Sequence, residues 1–239
     1  MQRRSDERVR ALLDALLEGR ASPDLAERAA AGLGLPERGR YAVAVLRAER
    51  RGPVHRVVDV DGMRFLWRTR ADREIAVVGL GDRSLADLTA VLVGRCPGPG
   101  GVGPVVDGLA ELDRARRLAE AALLTCAPGS TGIVRLDERL TTALVVSQPE
   151  LSARLVAEVF GPLLTLEPAD RALLVETLDA WLECDGSAGR AAGRLFCHRN
   201  TVFNRLRRLE TLTSRSLSRP RELIEMTLAL DAFRLTAVR

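Results

Sequence analysis

The chain has 239 residues, enough for one large domain or two small ones, and a hydrophobic content of 46% suffices for a packed core. Aromatic residues make up only 3%, so the core is expected from Leu, Val and Ala, which favours helices and argues against an all-β sandwich. All 36 basic residues are arginine, against 32 acids, for a net charge of +4. The absence of lysine reads as nucleotide bias, but it makes every cationic contact a planar, permanently charged guanidinium suited to bidentate bonding.

The four cysteines, Cys96, Cys126, Cys184 and Cys197, show no C-x-x-C spacing, and His55 and His198 complete no zinc pattern. Scattered thiols fit a reducing, cytoplasmic setting. Asp14 and Glu18 interrupt the apolar stretch behind Met1-Gln-Arg-Arg, and no uncharged apolar run approaches ~18 residues. Neither a signal peptide nor a membrane span is therefore expected.

In chain order, Val9, Leu12, Leu13, Leu16 and Leu17 recur at helical spacing. Residues 1–40 thus predict a helical linker or dimerisation segment, broken near Gly19 and Pro23. From Tyr41 the period changes. Tyr41–Ala48 reads as a strand, and Val54–Val60 and Met63–Arg68 flank Asp61-Gly62, a two-residue hairpin signal. Glu74–Leu80 is a further strand and Ser84–Val93 a helix with Leu85, Leu88, Val91 and Leu92 inward. Cys96–Pro104 (CPGPGGVGP) reads as a flexible Gly/Pro loop leading to a short strand near Val105. Leu109–Cys126 is an amphipathic helix and Gly132–Leu136 a short strand. Residues 41–148 are thus expected to form an α+β domain.

After Pro149 only helices are predicted, and residues 149–239 are expected to be all-α. Leu151–Phe160 is one helix, punctuated by Gly161-Pro162. Ala169–Cys184 is another, burying Leu173, Leu174, Leu178, Trp181 and Leu182. Pro220 opens the last.

Between them lies SAGRAAGRLFCHRNTVFNRLRRLETL, Ser187 to Leu212. Ser187 can cap a short helix whose inner residues are Ala188, Ala191, Ala192 and Leu195. Such small residues let a second helix cross closely. After a turn at Phe196–His198, that second helix carries an inner stripe of Val202, Leu206 and Leu209, with Phe203 on its flank. Two short helices, a tight turn and a small-residue crossing outline a helix-turn-helix at 187–212. Electrostatics agree. Gly186 to Leu209 holds six arginines and no acid, +6 against +4 for the whole chain, so the remainder is net negative.

In this motif the start of the second helix meets base edges in the major groove. His198, Arg199, Asn200 and Asn204 are therefore candidate base readers, since Arg suits guanine and Asn suits adenine. Thr201, Arg205, Arg207 and Arg208 are candidate phosphate contacts, which position without specifying. Blander roles stand beside these. An Arg-rich face is commonly just solvated, Arg205 could pair with Glu183 or Asp185, and His198 could cap a helix. A basic amphipathic helix could also lie on an anionic membrane, but this apolar stripe is needed as core.

The run CHRNTVFNRLRRLETLTSRSL, with the closing LALDAFRL, resembles the C-terminal helix-turn-helix of the PucR/CdaR family of bacterial transcription regulators. The family's His-x-Asn-Thr-x-x-x-Arg-Leu core is met by His198, Asn200, Thr201, Arg205 and Leu206. Ser214 stands where the family usually has glycine. The resemblance implies a degenerate GGDEF-like domain upstream, which Tyr41–Ser147 fits in order and length. A diguanylate cyclase hairpin of Gly-Gly-Asp/Glu-Glu-Phe is absent. Asp59 and Asp61 read as solvated turn residues rather than a metal site, and Gly98–Gly103 lacks the Lys-Ser/Thr of a P-loop. Ser130, Ser147 and Ser187 have no evident His/Asp partners.

No catalysis, metal or cofactor is expected. The reading is a sequence-specific, dimeric regulator that binds double-stranded DNA; the residues do not define its small-molecule effector. The alternative is a nucleotide-handling enzyme with an accessory helical domain.

Overall fold

In a computed structural model the described residues are 2–20, 23–47, 56–70, 72–96, 98–127 and 129–236. The chain divides into two compact units, Met1–Ser147 and Gln148–Arg239. Ala48, Val54 and His55, at the ends of two predicted strands, lie outside the described residues.

The first unit opens with α1 (Gln2–Leu17) and α2 (Pro23–Leu33). Then follow β1 (Arg38–Arg47), β2 (Arg56–Val60), β3 (Met63–Arg70), β4 (Arg73–Gly79) and α3 (Leu85–Arg95). Next come β5 (Gly100–Val102), β6 (Val106–Gly108), α4 (Leu112–Leu124), β7 (Ile133–Arg135) and α5 (Leu140–Val146). The strands form one mixed sheet in the order β2-β3-β4-β1-β5-β7, with β6 also paired to β1. Only the β5–β7 pairing is parallel among the described residues.

Period-two alternation along β1 explains the layering. Tyr41, Val43 and Val45 point to one face, where Leu13, Leu16 and Leu17 of α1 and Leu112, Ala115 and Ala119 of α4 cover them. Ala42, Ala44 and Leu46 point to the other, against Leu88 and Leu92 of α3. A strand covered on both faces reads as a continuous apolar run, as Tyr41–Leu46 does. The Asp61-Gly62 turn has φ of 50° and 80°, and Val60 pairs with Met63, so both turn residues are left-handed as a tight hairpin requires. Ser84 caps α3 in a reciprocal capping box with Asp87.

From the segment 1–40, expected as a helical linker or dimerisation segment, α1 and α2 contribute Leu12, Leu13, Leu16, Leu17, Ala29 and Leu33 to this core. Asp14 of α1 and Glu18, just past its end, pair with Arg68 and Arg70 of β3, and Arg116 of α4 donates to the Leu17 carbonyl at 2.7 Å.

The expected flexible loop at Cys96–Pro104 is a correction: it contains β5, an interior strand between β1 and β7. Its glycines serve close packing rather than flexibility. A Cβ on Gly101 would stand 2.2 Å from the Ala119 carbonyl oxygen, and one on Gly103 2.4 Å from that of Ala115, so α4 lies directly on this strand.

The second unit comprises α6 (Pro149–Leu164), α7 (Pro168–Glu183), α8 (Ala188–Arg194), α9 (Arg199–Thr213) and α10 (Pro220–Thr236). Its buried residues include Val159 and Phe160 of α6, Leu174 and Leu178 of α7, and Met226, Ala229 and Leu230 of α10. Phe160 meets Phe233 edge-on, with centroids 6.1 Å apart. The helix containing Leu151–Phe160 does not stop at Gly161-Pro162 but runs to Leu164. Leu173, expected inside, is 36% exposed.

Candidate nucleic-acid interface

α8 and α9 are short helices held at close range by small residues. Ala188, Ala191 and Ala192 of α8 are buried, as are Val202, Leu206 and Leu209 of α9. Ser187 caps α8 by accepting from the Arg190 N–H.

The connecting turn is a Schellman motif. The Cys197 N–H donates to the Ala192 carbonyl at 3.0 Å, and the Phe196 N–H to that of Gly193 at 3.4 Å. Phe196 therefore occupies the left-handed position after the helix, with φ of 50°. His198 then starts α9. Its Nδ1 accepts from the Asn200 N–H at 3.2 Å, so its imidazole caps the helix. That is the blander of its two roles, and it ties up one ring nitrogen.

Beyond the cap, α9 turns Arg199, Asn200, Asn204, Arg207 and Arg208 to the outside. The Arg199 guanidinium lies 5.4 Å from the Phe203 ring centroid, one helical turn on. This stack holds the cation over an exposed ring. Thr201 is only partly exposed. Arg205 turns back: its Nη1 donates to Thr177 Oγ1 of α7 at 3.5 Å. The structure thus brings together Arg199, Asn200, Asn204, Arg207 and Arg208 on one face, and aims Arg205 at α7.

Ion pairs offset part of the charge that the sequence places on α8 and α9. Arg190 pairs with Asp185 at 3.0 Å, Arg194 with Glu183 at 2.5 Å, and Arg208 with Asp170 at 2.9 Å. Glu183 and Asp185, considered as partners for Arg205, are engaged by these neighbours instead. All three pairs are largely exposed, so solvent screens them and a polyanion can compete for each guanidinium. Among the described residues Arg199 and Arg207 have no carboxylate partner. The pairing of Arg208 with Asp170 was not foreseen, because the two are 38 positions apart; the Arg199–Phe203 stack is an i, i+4 contact readable from spacing.

No group of three or more potential metal ligands occurs among the described residues, and Asp59 and Asp61 are both exposed. Among the described residues no helix is long and apolar enough to cross a membrane.

Residues 174–232, from mid α7 to α10, match the PucR C-terminal helix-turn-helix domain, and residues 18–125 match the GGDEF-like domain. The chain carries a PucR-type helix-turn-helix domain behind a GGDEF-like domain. The GGDEF-like match begins within the N-terminal helical segment and takes in α2, in keeping with their shared core.

An uncharacterised protein of Mycobacterium tuberculosis is 34% identical over 94 residues, which cover 39% of this chain and 22% of that protein. An uncharacterised protein in the pkwA 5′ region of Thermomonospora curvata is 36% identical over 118 residues, covering 48% of this chain and 63% of that one. The chain thus spans less than two thirds of either relative. A solved regulator of polyketide synthase expression from Bifidobacterium adolescentis is 20% identical, with a TM-score of 0.42 over 95% of this chain and 97% of that one.

Proposed function

We propose that this protein is a sequence-specific transcription regulator that binds double-stranded DNA through α9, with α8 packed behind it. The observation that carries this reading is the outward face of α9. Arg199, Asn200, Asn204 and Arg207 share that face without an acid between Gly186 and Leu209, beside a turn that ends in a capped helix start. A helix presenting Arg and Asn from its first turns matches the donor and acceptor pattern of purine edges in the major groove.

In this reading Arg199, Asn200 and Asn204 face bases, and His198 fixes the helix start that aims them. Arg207 and Arg208 hold phosphates, joined by Thr201 at the rim; Arg205 braces α9 against α7. The protein acts as a homodimer in the cytoplasm, because one short recognition helix offers few contacts and paired half-sites lie about 34 Å apart along the duplex. The GGDEF-like unit serves as a non-catalytic scaffold for regulation, where an effector would act.

Selection of bound duplexes from a random DNA pool tests the proposal. A recovered inverted repeat with half-sites about one helical turn apart, bound in a salt-dependent manner, is the expected outcome. Absence of salt-dependent duplex binding at low ionic strength overturns it.

A further inference from the structure

Four non-glycine residues among those described have positive φ: Asp61, Asp185, Phe196 and Ser214. Three are short polar residues, and Asp tolerates this region through local hydrogen bonds. Phe196 is different. It is bulky, it sits where a Schellman motif ordinarily has glycine, and its side chain is 97% exposed. The backbone cost of that position is not recovered by burial. The left-handed backbone costs stability, and the ring, in water in the folded and unfolded chain alike, returns none, so the use of a phenylalanine here lies in what it touches outside the chain.

Its surroundings indicate the partner. Phe196 lies three positions before Arg199, the first residue of α9, on a turn bounded by the His198 cap. A second exposed ring, Phe203, lies under the Arg199 guanidinium. Phe196 therefore adjoins the helix start proposed to enter the major groove, within a segment that has no acid to repel phosphate. In that groove the apolar feature of a base pair is the thymine C5 methyl, which aromatic and aliphatic side chains contact.

Resting on the DNA-binding reading above, we propose that Phe196 is a further base-contacting residue, its ring laid against a thymine methyl beside the bases that α9 reads. The backbone strain at Phe196 is then retained because a residue that suits the turn would not supply the contact.

The test uses the full chain, a duplex selected from a random pool, and Phe196→Asn, since Asn accepts a left-handed backbone. The variant should melt at a higher temperature than the wild type yet bind the selected duplex about fivefold or more weakly, with an unchanged salt slope. Replacing thymines one at a time by uracil, which lacks only the methyl, should reveal one position per half-site that weakens the wild type and leaves the variant unmoved. If the wild type binds no duplex, the DNA-binding reading itself fails. If the wild type binds and Phe196→Asn binds equally well, only the Phe196 contact is overturned. Weaker binding by the variant with no uracil-sensitive position overturns the thymine assignment.

Discussion

Arg208 of α9 donates to Asp170 Oδ2, in the first turn of α7, at 2.9 Å, with the two side chains 49% and 51% exposed. An ion pair this open contributes at most about 1 kcal/mol to stability. Its larger effect is to cancel one cation of the proposed DNA-facing surface. Asp170→Asn should therefore leave denaturant stability within about 1 kcal/mol of the wild type. It should tighten binding to any duplex and steepen the dependence of log K on log salt by about one unit. Titrations at several salt concentrations check this, and an unaltered slope would remove Arg208 from the phosphate contacts.

The proposed readers and positioners should separate in competition assays. Arg199→Ala or Asn200→Ala should cost about 1–3 kcal/mol on the preferred duplex and much less on random DNA. Arg207, which has no carboxylate partner among the described residues, should behave otherwise. Arg207→Ala should weaken all duplexes alike and make the salt slope shallower by about one unit. Equal losses for Arg199→Ala on both kinds of DNA would reassign that residue to the backbone.

Much of the second unit was legible because its signals are local. Val202, Leu206 and Leu209 recur at helical spacing, and all three are buried. The Asp61-Gly62 turn was legible for the same reason, since the demand for two left-handed residues is written in two adjacent positions. β5 was not. Gly100, Gly101 and Val102 carry almost no side-chain pattern, and their place in the sheet is set by the backbone of α4 pressing on Gly101. Glycine selected for close approach looks the same in sequence as glycine in a loop. Pro162 misled in the opposite sense, since the last turn of α6 absorbs it. In the candidate site the outward residues of α9 follow from its period, whereas the partners of Arg205 and Arg208 depend on how α7 packs. The exposure of Phe196 depends on a turn conformation that its residue type argues against.

Ser214 ends α9 with φ of 53° and ψ of 34°, in the left-handed region, its N–H donating to the Glu210 carbonyl. A Cβ is disfavoured there, and the Ser214 side chain is exposed, so little packing is lost with it. Ser214→Gly should stabilise the second unit by about 0.5–1 kcal/mol, the relief of backbone strain exceeding the added freedom of the unfolded chain. Urea denaturation at neutral pH measures this. A loss of stability would show that the hydroxyl supports the cap.

The first unit should respond to acid through Asp14. Its carboxylate accepts from Arg68 Nε at 2.8 Å and Nη2 at 2.7 Å, with Arg70 Nη2 3.3 Å away. Burial pushes this carboxyl up, but the hydrogen bonds and charge of Arg68, reinforced by Arg70, outweigh burial and hold it below the usual carboxylate range. Glu18 is lowered too, chiefly by its hydrogen bond from Arg70. A group depressed in the folded state adds stability above its unfolded pKa and loses it as pH falls through the folded value. The contribution of this pairing should therefore be complete at neutral pH and fade below about pH 4. Asp14→Asn removes the charge and one of the two strong acceptors. It should cost about 1–2 kcal/mol at pH 7, discounted for partial exposure. Other depressed carboxylates, among them Asp87, also shape the acid limb of the profile. The diagnostic quantity is hence the difference between wild type and variant, which should shrink toward zero as pH falls. A difference that stays constant with pH would mean that Asp14 acts through packing and not through its charge.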